Sequence, residues 1–199
     1  MTATNPGNSM NTPSRFTPVT VYTLGHSNRT GDALLALLRA THIRQLVDVR
    51  AHPSSQRFPQ FDADRLRGAL DEAGILYHWA GRHLGGRRSA RADSLHIALQ
   101  DVGLRAYADH MGTVAFERAA QQLVNLARRA PLVILCAEKQ PEHCHRALIA
   151  DYLTLQGHRV LHLIDETVTE EHLLNRHARR ESARLVYDRL ATKQLALRQ

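Results

Sequence analysis

The chain has 199 residues, enough for one domain, because a single hydrophobic core typically serves about 100–200 residues. Its composition, 43% hydrophobic and 23% charged, is ordinary for a globular protein. The 26 lysines and arginines outnumber the 19 aspartates and glutamates, and the net charge of +7 favours an anionic partner such as DNA, RNA or a nucleotide; solubility alone is the alternative explanation.

Cysteine usage and hydropathy indicate where the protein works. Cys136 and Cys144 are too few for a disulfide scaffold and agree with a reducing compartment. No run approaches the ~18–20 apolar residues that span a bilayer, and segment 1–18, rich in Thr, Asn, Pro and Ser, lacks an apolar signal core. We therefore expect a cytoplasmic protein with a disordered leader over residues 1–18 and no membrane partner.

Strand and helix patterns alternate along most of the chain. In chain order, the predicted elements are a strand over 19–24, a helix over 32–40, a strand over 43–49, a loop over 51–61, a helix over 62–73 ending at Gly74, a strand over 75–79, an irregular stretch over 81–94, helices over 95–111 and 113–129, a strand over 132–136, a helix over 143–156 ending at Gly157, and a strand over 159–164.

This alternation predicts the fold class. Strands that alternate with helices are joined by right-handed crossovers into a mostly parallel sheet. We predict a three-layer α/β domain over residues 19–165, with a mostly parallel sheet of about five strands flanked by helices. Residues 166–199 are basic and predicted to be helical; this segment packs on the domain, mediates a homodimer or stays partly loose.

Residues able to carry chemistry follow the predicted strands, and in an open parallel sheet ligands bind beyond the carboxyl ends of the strands. Four loops bring small, ionisable or cationic residues to that edge. Their sequences are Gly25-His26-Ser27-Asn28-Arg29, then Asp48-Val49-Arg50 with Ser55 and Arg57, then Gly85-Gly86-Arg87-Arg88, and Cys136-Ala137-Glu138 with Cys144-His145-Arg146.

The first two loops each allow two interpretations. Gly25 lets the backbone approach a ligand closely and His26 is a proton carrier near neutral pH, but the same residues also suit a helix-capping turn. Asp48 and Arg50, two residues apart on a strand, face the same side and form either a catalytic pair or a salt bridge that fixes the next loop.

The glycine-rich loop has the composition of a flexible phosphate-handling segment but equally that of a solvated linker. It lacks the spacing of a Walker loop or a dinucleotide fingerprint, so no nucleotide-cofactor motif is present and the cofactor remains unknown, with a divalent metal left open.

The two cysteines allow three interpretations. They could hold zinc with His143 or His145, although CxxC spacing is absent. Cys144 could be a nucleophile at a helix start, although Ala150 stands where a phosphatase-like Cys-x5-Arg cradle requires arginine. In the third interpretation, both thiols pack beside a functional Glu138, His145 and Arg146, and no residue is assigned as a metal ligand.

Taken together, these blocks resemble a known family. The blocks on which the resemblance rests are Tyr22-Thr23-Leu24-Gly25-His26-Ser27-Asn28-Arg29, Leu46-Val47-Asp48-Val49-Arg50 with Pro53 and Ser55, His83-Leu84-Gly85-Gly86, and Cys136-Ala137-Glu138 through Cys144-His145-Arg146. They are similar to the bacterial and archaeal family called domain of unknown function 488, over roughly residues 19–165. The resemblance implies a compact α/β domain and attaches no activity or catalytic residue to it.

We expect an enzyme, a hydrolase of glycosidic or phosphodiester bonds, acting on a phosphate-bearing substrate such as nucleic acid or a nucleotide. The acid–base candidates are His26, Asp48, Glu138 and His145. The candidate substrate-binding residues are Gly25, Ser27, Asn28, Arg29, Arg50, Ser55, Arg57, Gly85, Gly86, Arg87 and Arg146. The alternatives are a non-catalytic module that binds nucleic acid or a nucleotide, and a redox or metal sensor based on Cys136 and Cys144.

Overall fold

A six-stranded, mostly parallel sheet forms the centre of the computed structural model, which describes residues 17–182 and 184–189. Its strands are β1 (Thr20–Gly25), β2 (Gln45–Asp48), β3 (Leu76–Trp79), β4 (Leu132–Cys136), β5 (Arg159–Leu163) and β6 (Thr169–Glu171). They lie in the order β3-β2-β4-β1-β5-β6, the first five parallel and β6 antiparallel to β5. The predicted α/β class is confirmed.

Helices cover both faces of this sheet. They are α1 (Gly31–Ala40), α2 (Ala63–Glu72), α3 (Gly81–Leu84), α4 (Val102–Met111), α5 (Val114–Ala127) and α6 (His145–Leu155). Strands β1, β2 and β3 lie successively closer to one edge of the sheet, whereas β3, β4 and β5 lie successively farther from that edge. Because the crossovers between parallel strands are right-handed, α1 and α2 lie on one face and the later helices on the other. Within the described residues, no helix has the length and apolar character needed to cross a membrane.

The central strands are covered on both sides, as their apolar sequences predict. Every residue of β2 and β4 is buried. Leu46 and Val133 pack with the leucines of α1 and α2, whereas Val47 and Ile134 face the cluster formed with α4, α5 and α6. This alternation gives two hydrophobic layers separated by one sheet.

Local signals set the helix ends. Thr30, Asp101 and Thr113 each accept a hydrogen bond from the main-chain N–H three residues later, at the starts of α1, α4 and α5. Gly74 and Gly157 adopt φ angles of +70° and +85°, the left-handed conformation that ends a helix, so the two predicted stops are confirmed.

Two predicted helices begin later in the structure than in the sequence interpretation. Helix α4 starts at Val102 and not at residue 95, because residues 95–101 are irregular and the Ala98 N–H donates to the carbonyl of Tyr187. Helix α6 starts at His145 and not at residue 143, because Pro141–His143 form a 3₁₀ turn and Cys144 is an extended N-terminal cap.

The predicted helical character of segment 166–199 is wrong where the structure describes it. The chain there forms β6 and a hairpin of β7 (Ala178–Glu181) and β8 (Arg184–Tyr187). Strand β8 contains the β-branched Val186 and the aromatic Tyr187; Tyr187 is fully buried and its hydroxyl donates to Asp151 of α6 at 2.8 Å. Residues 190–199 of this segment and residues 1–16 of the predicted leader lie outside the described residues.

A chain of hydrogen bonds connects segment 166–199, through His172, to Thr23 of β1. Thr23 Oγ1 lies 2.7 Å from His162 Nδ1, His162 Nε2 lies 2.9 Å from His172 Nδ1, and His172 Nε2 lies 2.9 Å from an oxygen of Asp151. Since the carboxylate only accepts, His172 donates through Nε2 and accepts from His162, which in turn accepts from the Thr23 hydroxyl. Burial lowers the pKa of His162 to about 4, and His172 and Arg146 act in the same direction.

This buried histidine should make the fold sensitive to mild acid. Between pH 6.5 and about 4, His162 binds a proton in the unfolded chain but not in the native chain. The free energy of unfolding therefore falls as pH decreases through that window. We expect His162→Gln to reduce the loss between pH 7 and pH 5 by roughly 1–2 kcal/mol, measured by urea unfolding at both pH values. His52→Gln, on an exposed loop, is the control, and an unchanged pH dependence in His162→Gln would contradict the assignment.

Candidate functional site

The candidate site lies where β1 and β4 end side by side. The two strands are paired, with Gly25 opposite Cys136 at their carboxyl ends. The chain leaves β1 towards α1 on one face and leaves β4 towards α6 on the other. This divergence is the topological switch point of an open α/β sheet, and a cavity of about 770 Å³ opens there.

The structure brings most of the predicted site residues to this cavity. Those that line it are His26, Ser27, Asn28, Arg50, Ser55, Arg57, Gly86, Arg87, Cys136, Glu138, Cys144 and His145. They come from the loops after four parallel strands, and Arg57, Arg87 and Glu138 are exposed at the rim. The sheet edge therefore gathers cationic, thiol, imidazole and carboxylate groups around one space.

Strand β2 ends in a buried ion pair. Asp48 is fully buried and accepts the Arg50 main-chain N–H at 3.0 Å and its Nε at 2.9 Å, while Nη2 of Arg50 lies 2.5 Å from the second oxygen. The Tyr77 hydroxyl of β3 donates to the same carboxylate at 2.9 Å. Arg50 also donates to the carbonyl of Phe61 at 2.8 Å, so its guanidinium fixes the loop between β2 and α2. This geometry favours the salt-bridge interpretation for Asp48, whose oxygens do not reach the cavity.

His26 is held as a neutral imidazole. Its Nδ1 lies 3.0 Å from the carbonyl of Ser27, which only accepts, so Nδ1 carries the hydrogen and Nε2 is left as an acceptor. The ring stacks on Phe61 at 4.3 Å, and Nε2 faces Nη1 of Arg50 at 3.4 Å. Burial lowers the pKa of His26 to about 4, and the Arg50 charge acts in the same direction. At neutral pH His26 is therefore uncharged, and its unprotonated Nε2 lies beside the Arg50 guanidinium.

A thiol–imidazole centre, composed of Cys136, Cys144 and His145, forms another part of the wall. The sulfur of each cysteine lies 3.8 Å from Nδ1 of His145. The other ring nitrogen, Nε2, lies 3.2 Å from the carbonyl of Val49, and the ring contacts Tyr107 edge-on at 4.9 Å between centroids. These contacts fix which nitrogen faces the sulfurs.

Gly86 packs closely against the imidazole of the thiol–imidazole centre. A Cβ at this position would lie 2.5 Å from Nδ1 and 2.8 Å from Cγ of His145, closer than real contacts allow. The second glycine of the predicted glycine-rich loop is therefore required for packing against the imidazole.

The two thiols differ in acidity because they lie next to each other in a buried place. Interaction with the Cys136 thiol holds the pKa of Cys144 well below its ordinary value, and His145 and Arg146 add to the effect. Interaction with Cys144, together with burial, raises the pKa of Cys136. Cys144 also caps the N-terminus of α6, where the helix dipole favours negative charge.

The remaining predicted residues lie behind the cavity and position it. Arg29 donates to the carbonyls of Gly25 and Ile164, and buried Arg146 donates to those of Glu138 and Lys139. A Cβ at Gly25 would lie 1.6 Å from the Glu138 carbonyl oxygen, and one at Gly85 would lie 2.3 Å from that of Gly81. With Asp48, these residues shape the loops and do not line the cavity, so the structure does not support their predicted contact with a substrate.

Other parts of the site were not predicted from sequence. The start of α4 lines the cavity through Asp101, Gly103 and Leu104. In the sequence, Asp101 could be recognised as a helix cap three residues before Leu104. Such a cap indicates where a helix begins but not where that helix lies in the fold. The remaining lining residues are Ala51, His52, Ser54, Phe58, Ala137 and His143.

Fold and site together define a doubly wound α/β protein with a ligand cavity at its switch point. The chain belongs to the family described as domain of unknown function DUF488, whose model matches residues 30–153, so the resemblance seen in the sequence is confirmed over a narrower span. No curated protein and no solved structure matched the chain. The loop Gly25–Arg29 precedes the matched residues.

The buried ion pair can be tested by removing its charge. Asp48→Asn leaves Arg50 without its buried counter-ion, and we expect a loss of about 3–5 kcal/mol in the free energy of unfolding, measured with urea. Asp93→Asn, which breaks the exposed pair with Arg91, is the control and should leave stability nearly unchanged. Equal effects of the two substitutions would contradict a positioning role for Asp48.

Proposed function

We propose that the protein is an enzyme acting on a phosphate-bearing substrate, a nucleotide or a nucleic acid, bound in the cavity at the switch point. The observation that carries the proposal is the pairing of a cationic rim with acid–base and thiol groups in one space. At about 770 Å³, the cavity has the size of a small-molecule site and accommodates a nucleotide or a nucleotide unit of a longer strand.

Two exposed arginines supply the charge for substrate binding. Arg57 lies on the loop between β2 and α2, and Arg87 on the loop after α3, so they approach the cavity from different elements. Neither has a carboxylate partner among the described residues; Arg57 only lies over the ring of Phe58, at 5.3 Å. Ser54 and Ser55 add hydroxyl donors beside them. An unpaired guanidinium fork matches the geometry of a phosphate group.

Acid–base chemistry is assigned to His26 and Glu138. His26 lines the cavity as a neutral imidazole whose unprotonated Nε2 lies beside Arg50, and Glu138 presents an exposed carboxylate from the loop after β4. A carboxylate or imidazole can accept the proton of an attacking water while arginines stabilise negative charge in the transition state. Hydrolysis of a phosphodiester or glycosidic bond suits this set, and Asp48 is no longer among the proton-transfer groups.

A second candidate is a binding module without catalysis. It is favoured by one observation: of the two carboxylates first considered, only Glu138 lines the cavity, and the other carboxylate in the lining, Asp101, is engaged as the cap of α4. Such a module would read the anionic ligand through the same arginines and make no product.

Binding is tested by titrating the protein with fluorescent single-stranded DNA and RNA over a range of salt concentrations. Arg57→Ala and Arg87→Ala should each weaken binding and lower the slope of log K against log salt by about 1, since each removes one phosphate contact. Arg118→Ala, on an exposed position of α5 away from the cavity, is the matched control. Unchanged slopes in both cavity variants would contradict the proposed substrate-binding role.

Catalysis is tested on the same nucleic acids in single- and double-stranded form, with and without Mg²⁺, Mn²⁺ or Zn²⁺. Alkali treatment of half of each sample separates base removal from strand cutting. We expect a product that is reduced at least about tenfold by Glu138→Gln and by His26→Ala. Tight binding without product would favour the binding module, and full activity of both variants would refute their roles.

A further inference from the structure

The thiol–imidazole centre has the donor geometry of a metal site. Its three donor atoms, the sulfurs of Cys136 and Cys144 and Nδ1 of His145, all lie within 4.8 Å of one another, with both S···N distances at 3.8 Å. Around tetrahedral zinc, with Zn–S of about 2.3 Å and Zn–N of about 2.0 Å, neighbouring donors are separated by roughly 3.5–3.8 Å. The three atoms therefore need only a small adjustment to contact one ion.

The His145 ring is already oriented as a ligand. The Val49 carbonyl can only accept a hydrogen bond, so Nε2 at 3.2 Å carries a hydrogen and Nδ1 is the nitrogen left for a metal. Histidines that bind metals commonly donate their other ring N–H to a main-chain carbonyl, which fixes the tautomer and the ring plane. Tyr107 and Gly86 pack against the same ring and restrict its rotation.

The backbone presents the donors from rigid elements. Cys136 is the last residue of β4, and Cys144 and His145 are the cap and the first residue of α6. Buried Arg146 joins α6 to the loop after β4 through its bonds to the carbonyls of Glu138 and Lys139. The long separation of the cysteines in sequence argued against zinc, but the fold brings their sulfurs within 4.8 Å of each other.

We propose that Cys136, Cys144 and His145 bind one Zn²⁺ ion, or a similar thiophilic divalent cation, with its fourth position open to the cavity. All three residues line that cavity, and three protein ligands with one open position are typical of catalytic zinc sites. A water molecule or a phosphate oxygen would complete the coordination. Ion binding stands on the donors alone, whereas its use on a phosphate-bearing substrate rests on the proposed function.

The test uses the full chain, reduced and stripped of metal with a chelator. Titration with Zn²⁺ against a chromophoric competitor should give one equivalent per chain, and Co²⁺ should give the absorption bands of a tetrahedral site with thiolate ligands. Cys136→Ser, Cys144→Ser and His145→Gln should each weaken Zn²⁺ binding by at least about 100-fold, the upper end of the loss seen for outer-shell partners of metal sites. His83→Gln, on an exposed position of α3 that does not line the cavity, should bind Zn²⁺ as the parent does.

A further variant keeps all three donors and tests the geometry. Gly86→Ala places a methyl group against His145, and we expect weaker Zn²⁺ binding, while Gly31→Ala, which meets nothing within 4 Å, should not change it. This pair keeps the proposal testable if a cysteine variant fails to fold, which circular dichroism reports.

Three results would overturn the metal site. They are no Zn²⁺ uptake by the reduced protein, uptake that survives loss of all three donors, and formation of a Cys136–Cys144 disulfide in a protein that never binds Zn²⁺. Each leaves the proposed function standing if the nucleic-acid titrations succeed. Zn²⁺ binding by a protein that binds no nucleic acid or nucleotide would instead remove the proposed function and keep the metal site.

Discussion

The buried carboxylate of Asp48 is the constraint on which the site depends. It accepts the main-chain N–H and the guanidinium of Arg50 and the hydroxyl of Tyr77, so it joins β2, β3 and the following loop at one point. Val49 lies inside the turn that Asp48 closes. Its N–H donates to the carbonyl of Leu135 in β4, and its own carbonyl accepts from His145. The buried carboxylate thus helps to position the Val49 carbonyl, which orients an imidazole on a different element.

The orientation of His145 determines what the cavity can do. With Nε2 bound to Val49, Nδ1 faces the two sulfurs and combines them into one centre. His26, stacked on Phe61 and neutral, provides a second imidazole on the other side of the switch point, at the end of β1. The exposed arginines bring positive charge to the rim. Two imidazoles of fixed tautomer, two buried thiols and the exposed arginines therefore line one cavity.

Much of the fold and of the candidate site could be predicted from the sequence. Strand patterns are local features of the sequence, and the rule that ligands bind beyond the carboxyl ends of parallel strands depends only on the fold class. The runs that became β1 to β5 and the glycines that end α2 and α6 were all predicted. The edge at which His26, Arg50, Cys136 and Glu138 meet followed from the rule that ligands bind beyond the carboxyl ends of parallel strands. What sequence could not give was the direction of each side chain. In the sequence, Arg29 and Arg146 cannot be distinguished from Arg57 and Arg87, because all four belong to segments that follow predicted strands. In the structure, the first two donate to main-chain carbonyls inside the fold, and only the second two line the cavity. The hairpin of β7 and β8 was missed because burial of Tyr187 against Asp151, a tertiary contact, decides its structure.

The account is tested most directly by locating the proton on the His145 ring. A long-range ¹H–¹⁵N spectrum of the reduced protein, with His145→Gln to assign the signals, distinguishes the two ring nitrogens. A hydrogen on Nε2, facing Val49, is the predicted result. A neutral ring with its hydrogen on Nδ1 and a bare Nε2 would contradict the account, because Val49 would then not orient the ring and Nδ1 would not be free to bind a metal.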